Sequence, residues 1–281
     1  MKIGLLTGFG WGSPPDLIAT TGQLAEQAGV HSLWAPEHVV FFENHDSRYP
    51  YSEDGKVPGR PQGVLDPFSA LTFLAAHTSR IRLGTGICLV PQRNPVYTAR
   101  MVADVDYLSG GRFDFGVGIG WQREEFEALD VPWERRAART RDYLEVMKHL
   151  WSDPVPAFEG EFYSLPECVH GPKPVQKPHP PIFFGGESEP ALRRVAEVGQ
   201  GWFGFDLGPE ELAPHLKSLD AALGRAGRKR ADLQIFVSPY MRPIDRDMVK
   251  RYQDLDVDQV ITPLFARDRA QVERQLEALP L

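Results

Sequence analysis

Strand-like and helix-like stretches alternate eight times along these 281 residues, and that alternation restricts the fold more than any other feature. The strand-like segments are KIGLLTGF, HSLWAPEH, RIRLGTGIC, RFDFGVGIGW, PIFFGGES, GWFGF, LQIFVSPY and VDQVITPLF. Each is followed by a stretch with helical apolar spacing, beginning with PPDLIATTGQLAEQAG and ending with DRAQVERQLEAL. Asp66 and Asn94 stand where helix N-caps belong, each with Pro at the next position, while Gly29 and Gly110 stand where helices stop. A continuous helical stretch is expected over 122–151. Parallel strands need long crossovers, which are right-handed, and strands covered on both faces are apolar with little alternation. The expected fold is therefore α/β, a (β/α)8 TIM barrel, whose usual length is about 250 residues. A doubly wound open sheet is the alternative. No compositional break divides residues 1–281, so one domain is expected. Two connections are long: 39–65 after strand two, a lid candidate, and 152–181 before strand five, which holds the hairpin-like FEGEFYSL and reads as structural.

The formal net charge of −7, with no Lys/Arg block, argues against nucleic acid or an anionic membrane surface as partner. No apolar run reaches the ~18 residues of a membrane span. MKIGLLTGFG reads as a first strand rather than a signal peptide, and two cysteines, Cys88 and Cys168, suit a reducing compartment, so a cytoplasmic location is expected. The eight histidines show no metal-ligand spacing, so no metal is expected, and no G-x-S-x-G elbow is present.

In a TIM barrel, chemistry sits at the C-terminal strand ends. Strand two brings Glu37 and His38 there. Strand three, RIRLGTGIC, carries two glycines, and a strand interior usually tolerates glycine only where another backbone or a ligand comes close. Strand four ends in GVGIGW and strand five in GGES, so glycine strips three of these four ends, leaving room for something flat and bulky. GGES before a helix presents backbone N–H groups and a hydroxyl, which suits a phosphate; equally, Ser188 can be an ordinary N-cap and Gly185–Gly186 a tight turn. GVGIGW lacks the strand–turn–helix context of a dinucleotide fingerprint. His38 is the best titratable candidate, with an ordinary pKa near neutrality, although a lone histidine away from a strand end is more often structural. Cys88, among Ile87, Leu89 and Val90, reads as an inert thiol. Trp11, Phe41, Phe42 and Trp121 near strand ends suggest an aromatic-walled cavity, with Trp11, Glu37 and Phe41 as substrate-pocket candidates, and aromatic residues there are more often plain core.

RIRLGTGICLVPQRNPV, LSGGRFDFGVGIGWQREEFEALDVPWERR, GPKPVQKPHPPIFFGGES and GWF together resemble the bacterial-luciferase-like flavin-dependent oxidoreductases, over nearly the whole chain. They resemble most the branch that uses the deazaflavin coenzyme F420. The resemblance implies a TIM barrel with a cis peptide at Gly86–Ile87 backing the ring of the cofactor, so that a side chain added at Gly86 would point into the ring site. It implies that Ile119, Gly120 and Trp121 lie along the cofactor edge. Gly185, Gly186, Glu187 and Ser188 would form the phosphate turn, and His38 would be the active-site histidine. It implies a homodimer, a small-molecule substrate, and a flavin or F420 reductase that recycles the cofactor. Of the 31 basic residues 23 are Arg, which suits a GC-rich genome, the usual home of deazaflavin users in this family. The position of Trp121 is acidic in the family's sugar-phosphate dehydrogenases, so such substrates are not expected.

Three readings follow from the resemblance. The first is an F420-dependent oxidoreductase that moves hydride to or from a small organic substrate. The second is an FMN-dependent two-component monooxygenase. The third is a flavin- or deazaflavin-binding protein without turnover, against which the intact Gly86, Gly185, Gly186 and His38 count.

Overall fold

The structure, a computed structural model, describes residues 1–10, 12–58 and 63–281. Eight parallel strands form the barrel: β1 (Lys2–Leu6), β2 (Ser32–Ala35), β3 (Arg82–Thr85), β4 (Phe113–Gly118), β5 (Ile182–Gly185), β6 (Gly201–Phe205), β7 (Gln234–Ser238) and β8 (Gln259–Pro263). β1 pairs with both β2 and β8, and β3 pairs with β4 at Leu83↔Phe113, so the sheet closes. Around it lie α1 (Pro15–Ala28), α2 (Pro67–His77), α3 (Pro95–Ser109), α4 (Arg123–Ala128), α5 (Arg136–Ser152), α6 (Glu189–Val198), α7 (Pro209–Arg225), α8 (Arg246–Gln253) and α9 (Arg269–Glu277). The TIM barrel read from the alternation is the observed fold.

The expected caps are in place. Asp66 accepts the Ser69 N–H, Asn94 accepts those of Val96 and Tyr97, and Gly29 and Gly110 close their helices in left-handed conformation. Two boundaries differ from expectation. The stretch 122–151 is two helices, α4 and α5, because Pro132 has no N–H to continue a helix and Asp130 and Arg135 take positive φ on either side of it. β2 ends at Ala35, before Pro36, so Glu37 and His38 stand beyond the strand. FEGEFYSL is a hairpin, with Phe158–Glu159 antiparallel to Ser164–Leu165.

Inside the barrel, Leu6, Trp34, Phe183, Phe203, Phe236 and Ile261 make a separate apolar cluster. Trp34 is its hub. It packs edge-on against Phe183, Phe203 and Phe236 with ring centroids 5.2–5.9 Å away, and its indole N–H donates to Ser32 Oγ at 2.7 Å. A Cβ at Gly84 would lie 2.4 Å from the indole. Gly84 is therefore glycine because Trp34 crosses the lumen there, and no bound group is needed to explain it.

Candidate active site at the barrel mouth

At the C-terminal mouth, β3 stops at Thr85, the Gly86–Ile87 peptide is cis, and pairing with β4 resumes at Cys88 and Leu89. The side chain of Ile87 turns sideways across the next two strand ends. A Cβ on Gly118 would lie 2.2 Å from Ile87 Cδ1, and one on Gly185 would lie 2.6 Å from it. The glycines expected to clear space for a flat ligand instead clear space for Ile87. A Cβ at Gly86 would meet Leu6, Trp34 and Phe203 at 3.1–3.2 Å, so it would point down into the lumen and not into the mouth as expected.

His38 stands at the rim with its side chain 17% exposed, and its Nδ1 lies 3.1 Å from Oε1 of the fully buried Glu125 on α4. The same oxygen accepts the Val39 N–H, and Gln92 approaches Oε2 at 3.5 Å. Phe41 packs on the imidazole with centroids 4.7 Å apart, and Trp121 meets it edge-on at 5.8 Å. Glu37, expected in the pocket, is not there. It is buried, accepts the Leu89 N–H and pairs with Arg93, which also holds Asp66 at the N-cap of α2. Its carboxylate braces the segment after the cis peptide. Cys88 beneath is wholly buried, and burial and Glu37 push its thiol well up, as an inert thiol requires. Trp11 lies outside the described residues.

Residues 39–58 of the connection after β2 lie across the mouth. Glu124 at the start of α4 accepts the Asp46 and Ser47 N–H groups, and Ser47 Oγ accepts the Arg123 N–H. Burial opposes the charge of Glu124, but hydrogen bonds from the Ser47 side chain and from backbone N–H groups, those of Ser47 and Asp46 among them, outweigh it and hold its carboxyl down to about 2. Farther on, Tyr49 packs on Trp121 at 5.3 Å, Tyr51 on Tyr49 at 5.4 Å and on Phe205 at 4.8 Å, and Phe205 on Tyr240 at 4.7 Å. An unbroken arc of rings thus runs from His38 to the end of β7.

At the end of β5, Gly186 takes φ +102°, its carbonyl accepts the Trp202 indole N–H at 3.0 Å, and Ser188 Oγ accepts the Ala191 N–H as N-cap of α6. The N-cap and tight-turn reading of GGES is what the structure shows here. The cap occupies Ala191, while the N–H of Glu189 has no intrahelical acceptor. Glu187 does not face that turn. Its carboxylate folds back over the mouth, accepting the Phe205 N–H at 2.9 Å and the Tyr51 hydroxyl at 3.1 Å. Burial pushes it up to about 7 against those two hydrogen bonds, and burial together with Glu187 pushes Tyr51 well up. Ile119 and Gly120 are half-buried beside Trp121, with Gly120 at φ +77° and its carbonyl accepting from Arg136.

Glu125, Tyr49, Tyr51 and the inward turn of Glu187 escaped the sequence reading. Glu125 meets His38 across 87 residues of chain and Tyr51 meets Glu187 across 136, and no local pattern encodes such pairs. A glycine at φ +102° beside a helix N-terminus, a peptide bulge at the strand end and an aromatic cover suit a planar ring carrying a phosphate. A side chain at Gly186 would be strained there and would press on Ala191.

Residues 1–277 match the luciferase-like monooxygenase family. An uncharacterised protein of Mycobacterium tuberculosis is 33% identical over 247 residues, covering 86% of this chain and 85% of its own. An FMNH2-dependent dimethylsulfone monooxygenase of Pseudomonas putida is 32% identical over 133 residues, 46% of this chain and 36% of its own. Among solved structures, the coenzyme F420-dependent tetrahydromethanopterin reductase of Methanopyrus kandleri superposes with a TM-score of 0.75 over 100% of this chain and 98% of its own, at 17% identity, a likeness of fold alone.

Proposed function

The chain belongs to the luciferase-like monooxygenase family, and on that premise we propose that it is a coenzyme F420-dependent oxidoreductase acting on a small organic substrate. When bound, the deazaflavin supplies the hydride chemistry. The remaining tasks fall to the protein. The Gly86–Ile87 bulge backs the ring, Ile119, Gly120 and Trp121 line its edge, and Gly185, Gly186 and Ser188 hold the phosphate at the N-terminus of α6. Tyr49 and Tyr51 cover the mouth and keep water out.

The observation that carries the reading is the His38–Glu125 contact at 3.1 Å. A buried carboxylate on Nδ1 fixes the ring and its tautomer and leaves Nε2 to give or take the proton that accompanies hydride transfer, work worth about 10²–10⁴-fold in rate. Phe41, packed against the same ring, belongs to the substrate side of the site. The active form is a homodimer served by a separate reductase that recycles the cofactor.

The likeness to an FMNH2-dependent monooxygenase supports a second reading, an FMN-dependent monooxygenase fed by a partner reductase. Fluorescence titration of the purified protein with F420 and with FMN decides between them. The expected result is low-micromolar or tighter binding of F420 and much weaker binding of FMN; tighter FMN binding selects the monooxygenase.

A further inference from the structure

The mouth is one of the two ends of the barrel, and the other end is polar. In a strand, residues two apart face the same side. A Cβ on Gly4 would run into Gln259 and Ser32 across the lumen, so Gly4 faces inward, and Lys2 faces inward with it at the start of β1. The same alternation brings Arg82, Asp114 and Gln234 to that end, two positions before Gly84, Gly116 and Phe236 on their strands. With His31, just before β2, these side chains line a cavity of about 270 Å³ that Phe236 of the lumen cluster also lines. Cofactor-sized ligands fill pockets of about 300–1,000 Å³, so this space suits a smaller guest.

The charges around this cavity do not balance. Arg82 spends Nε and Nη2 on Asp114, Phe113 O and Gln176, which leaves Nη1 without a hydrogen bond among the described residues. Lys2 is exposed and His31 half-buried, and neither side chain has a hydrogen bond or ion pair among the described residues. Acidic side chains at this end are engaged elsewhere: Asp114 with Arg82, Asp106 with Gln176, Asp258 with the Ile235 N–H, and Glu26 with the N–H groups of Ser79, Arg80 and Ile81. Burial, Lys2 and Arg82 hold the His31 imidazole down to about 4, so near neutral pH it is an uncharged ring beside two cations. Two unpartnered basic side chains facing one cavity do nothing to close the barrel; they do suit an anion.

We propose that this end of the barrel is a binding site for a doubly charged oxyanion of phosphate or sulfate size, held by Lys2, His31 and the free Nη1 of Arg82. With Arg82 and Asp114 neutral as a pair, Lys2 and a protonated His31 offer one positive charge each, which matches a dianion. Binding therefore draws a proton onto His31, so that every hydrogen bond to the guest is charge-assisted. The guest ties together the starts of β1, β2 and β3. The site lies at the opposite end of the barrel from His38 and is independent of the cofactor that the mouth holds.

The probe is sulfate, which stays a dianion from pH 5 to pH 8, added to wild type labelled at its histidine rings and followed by NMR, with sodium chloride at matched ionic strength as the control. His31→Gln identifies the His31 resonance by removing it. Sulfate is expected to move that resonance and to raise its titration midpoint by about two pH units, the effect of a close opposite charge, while chloride leaves both nearly in place. Sulfate affinity should tighten about tenfold from pH 7 to pH 5 in wild type, lose that pH dependence in His31→Gln, and fall about tenfold or more at pH 5 in Lys2→Met. Lys2 is exposed at the end of a strand, so its replacement leaves the fold in place, and the wild-type titration needs no variant. A His31 resonance that sulfate moves no more than chloride does, or moves equally in Lys2→Met, overturns the proposal. A rise in Tm with sulfate that leaves the His31 resonance unmoved places the anion elsewhere on the protein and overturns it equally.

Discussion

Ile87 dictates what its neighbours can be. Its Cδ1 occupies the space where Cβ atoms of Gly118 and Gly185 would stand, 2.2 and 2.6 Å away. Gly118→Ala should therefore force Ile87 or the end of β4 to move and cost about 1–3 kcal/mol. In an Ile87→Ala background the same change should cost almost nothing. Urea denaturation of the two single variants and the double variant reads this coupling directly; an equal cost of Gly118→Ala in both backgrounds would show that Ile87 is not the reason. At this scale the sequence was half legible. The glycines announced a close approach, but a missing side chain does not say from which direction the neighbour comes. Trp34 fills the space at Gly84 and Ile87 the space at Gly118 and Gly185, and both are side chains from other strands. The rim position of His38 and Phe41 was legible because the chain leaves the C-terminal end of β2 at the barrel mouth. Glu37 was misjudged because Pro36 ends the strand and breaks the alternation that would have aimed it.

At the scale of elements, residues 39–58 after β2 are held at two anchors of opposite character. Glu124 is a carboxylate kept charged by backbone N–H groups, whereas Glu187 is a buried carboxyl held up near 7 from an ordinary 4.5. The folded protein binds the Glu187 proton more tightly than the unfolded chain does. Its contribution to stability is thus complete below about pH 4.5 and is lost as pH rises through about 7. Between pH 5 and pH 8, wild type should lose up to about 3 kcal/mol relative to Glu187→Gln, whose amide still accepts from Phe205 and cannot titrate. Denaturation midpoints of the two proteins at both pH values check this; parallel profiles would remove Glu187 as the titrating group. The helices and strands themselves were legible from caps and apolar spacing. What the connection touches was not, since Tyr51 meets Glu187 across 136 residues of chain and nothing local in RYPYS names its partner.

Across the whole molecule the two ends of the barrel are built for different work. The mouth carries His38, the glycine turn and the aromatic arc. The opposite end carries a part-buried ion pair, Arg82 Nε to Asp114 Oδ2 at 2.8 Å, with Arg82 also donating to Phe113 O and Gln176, and Gln176 in turn donating to Asp106. Asp114 is 2% exposed, so removing its partner leaves a buried charge uncompensated. Arg82→Met should cost about 3–5 kcal/mol of stability, and Arg82→Met with Asp114→Leu should recover most of it by removing both charges together. Neither change touches the mouth, so the protein that remains folded should bind cofactor with unchanged affinity. His38→Gln should do the reverse: an unchanged Tm and cofactor Kd, with turnover at least about tenfold lower on the substrate a screen identifies, because an amide can hydrogen-bond to Glu125 but cannot exchange a proton at neutral pH. Thermal melts and cofactor titrations on the same three variants separate the two ends. A bottom-end variant that loses cofactor affinity while still folded, or a His38→Gln protein with full turnover, would break the division.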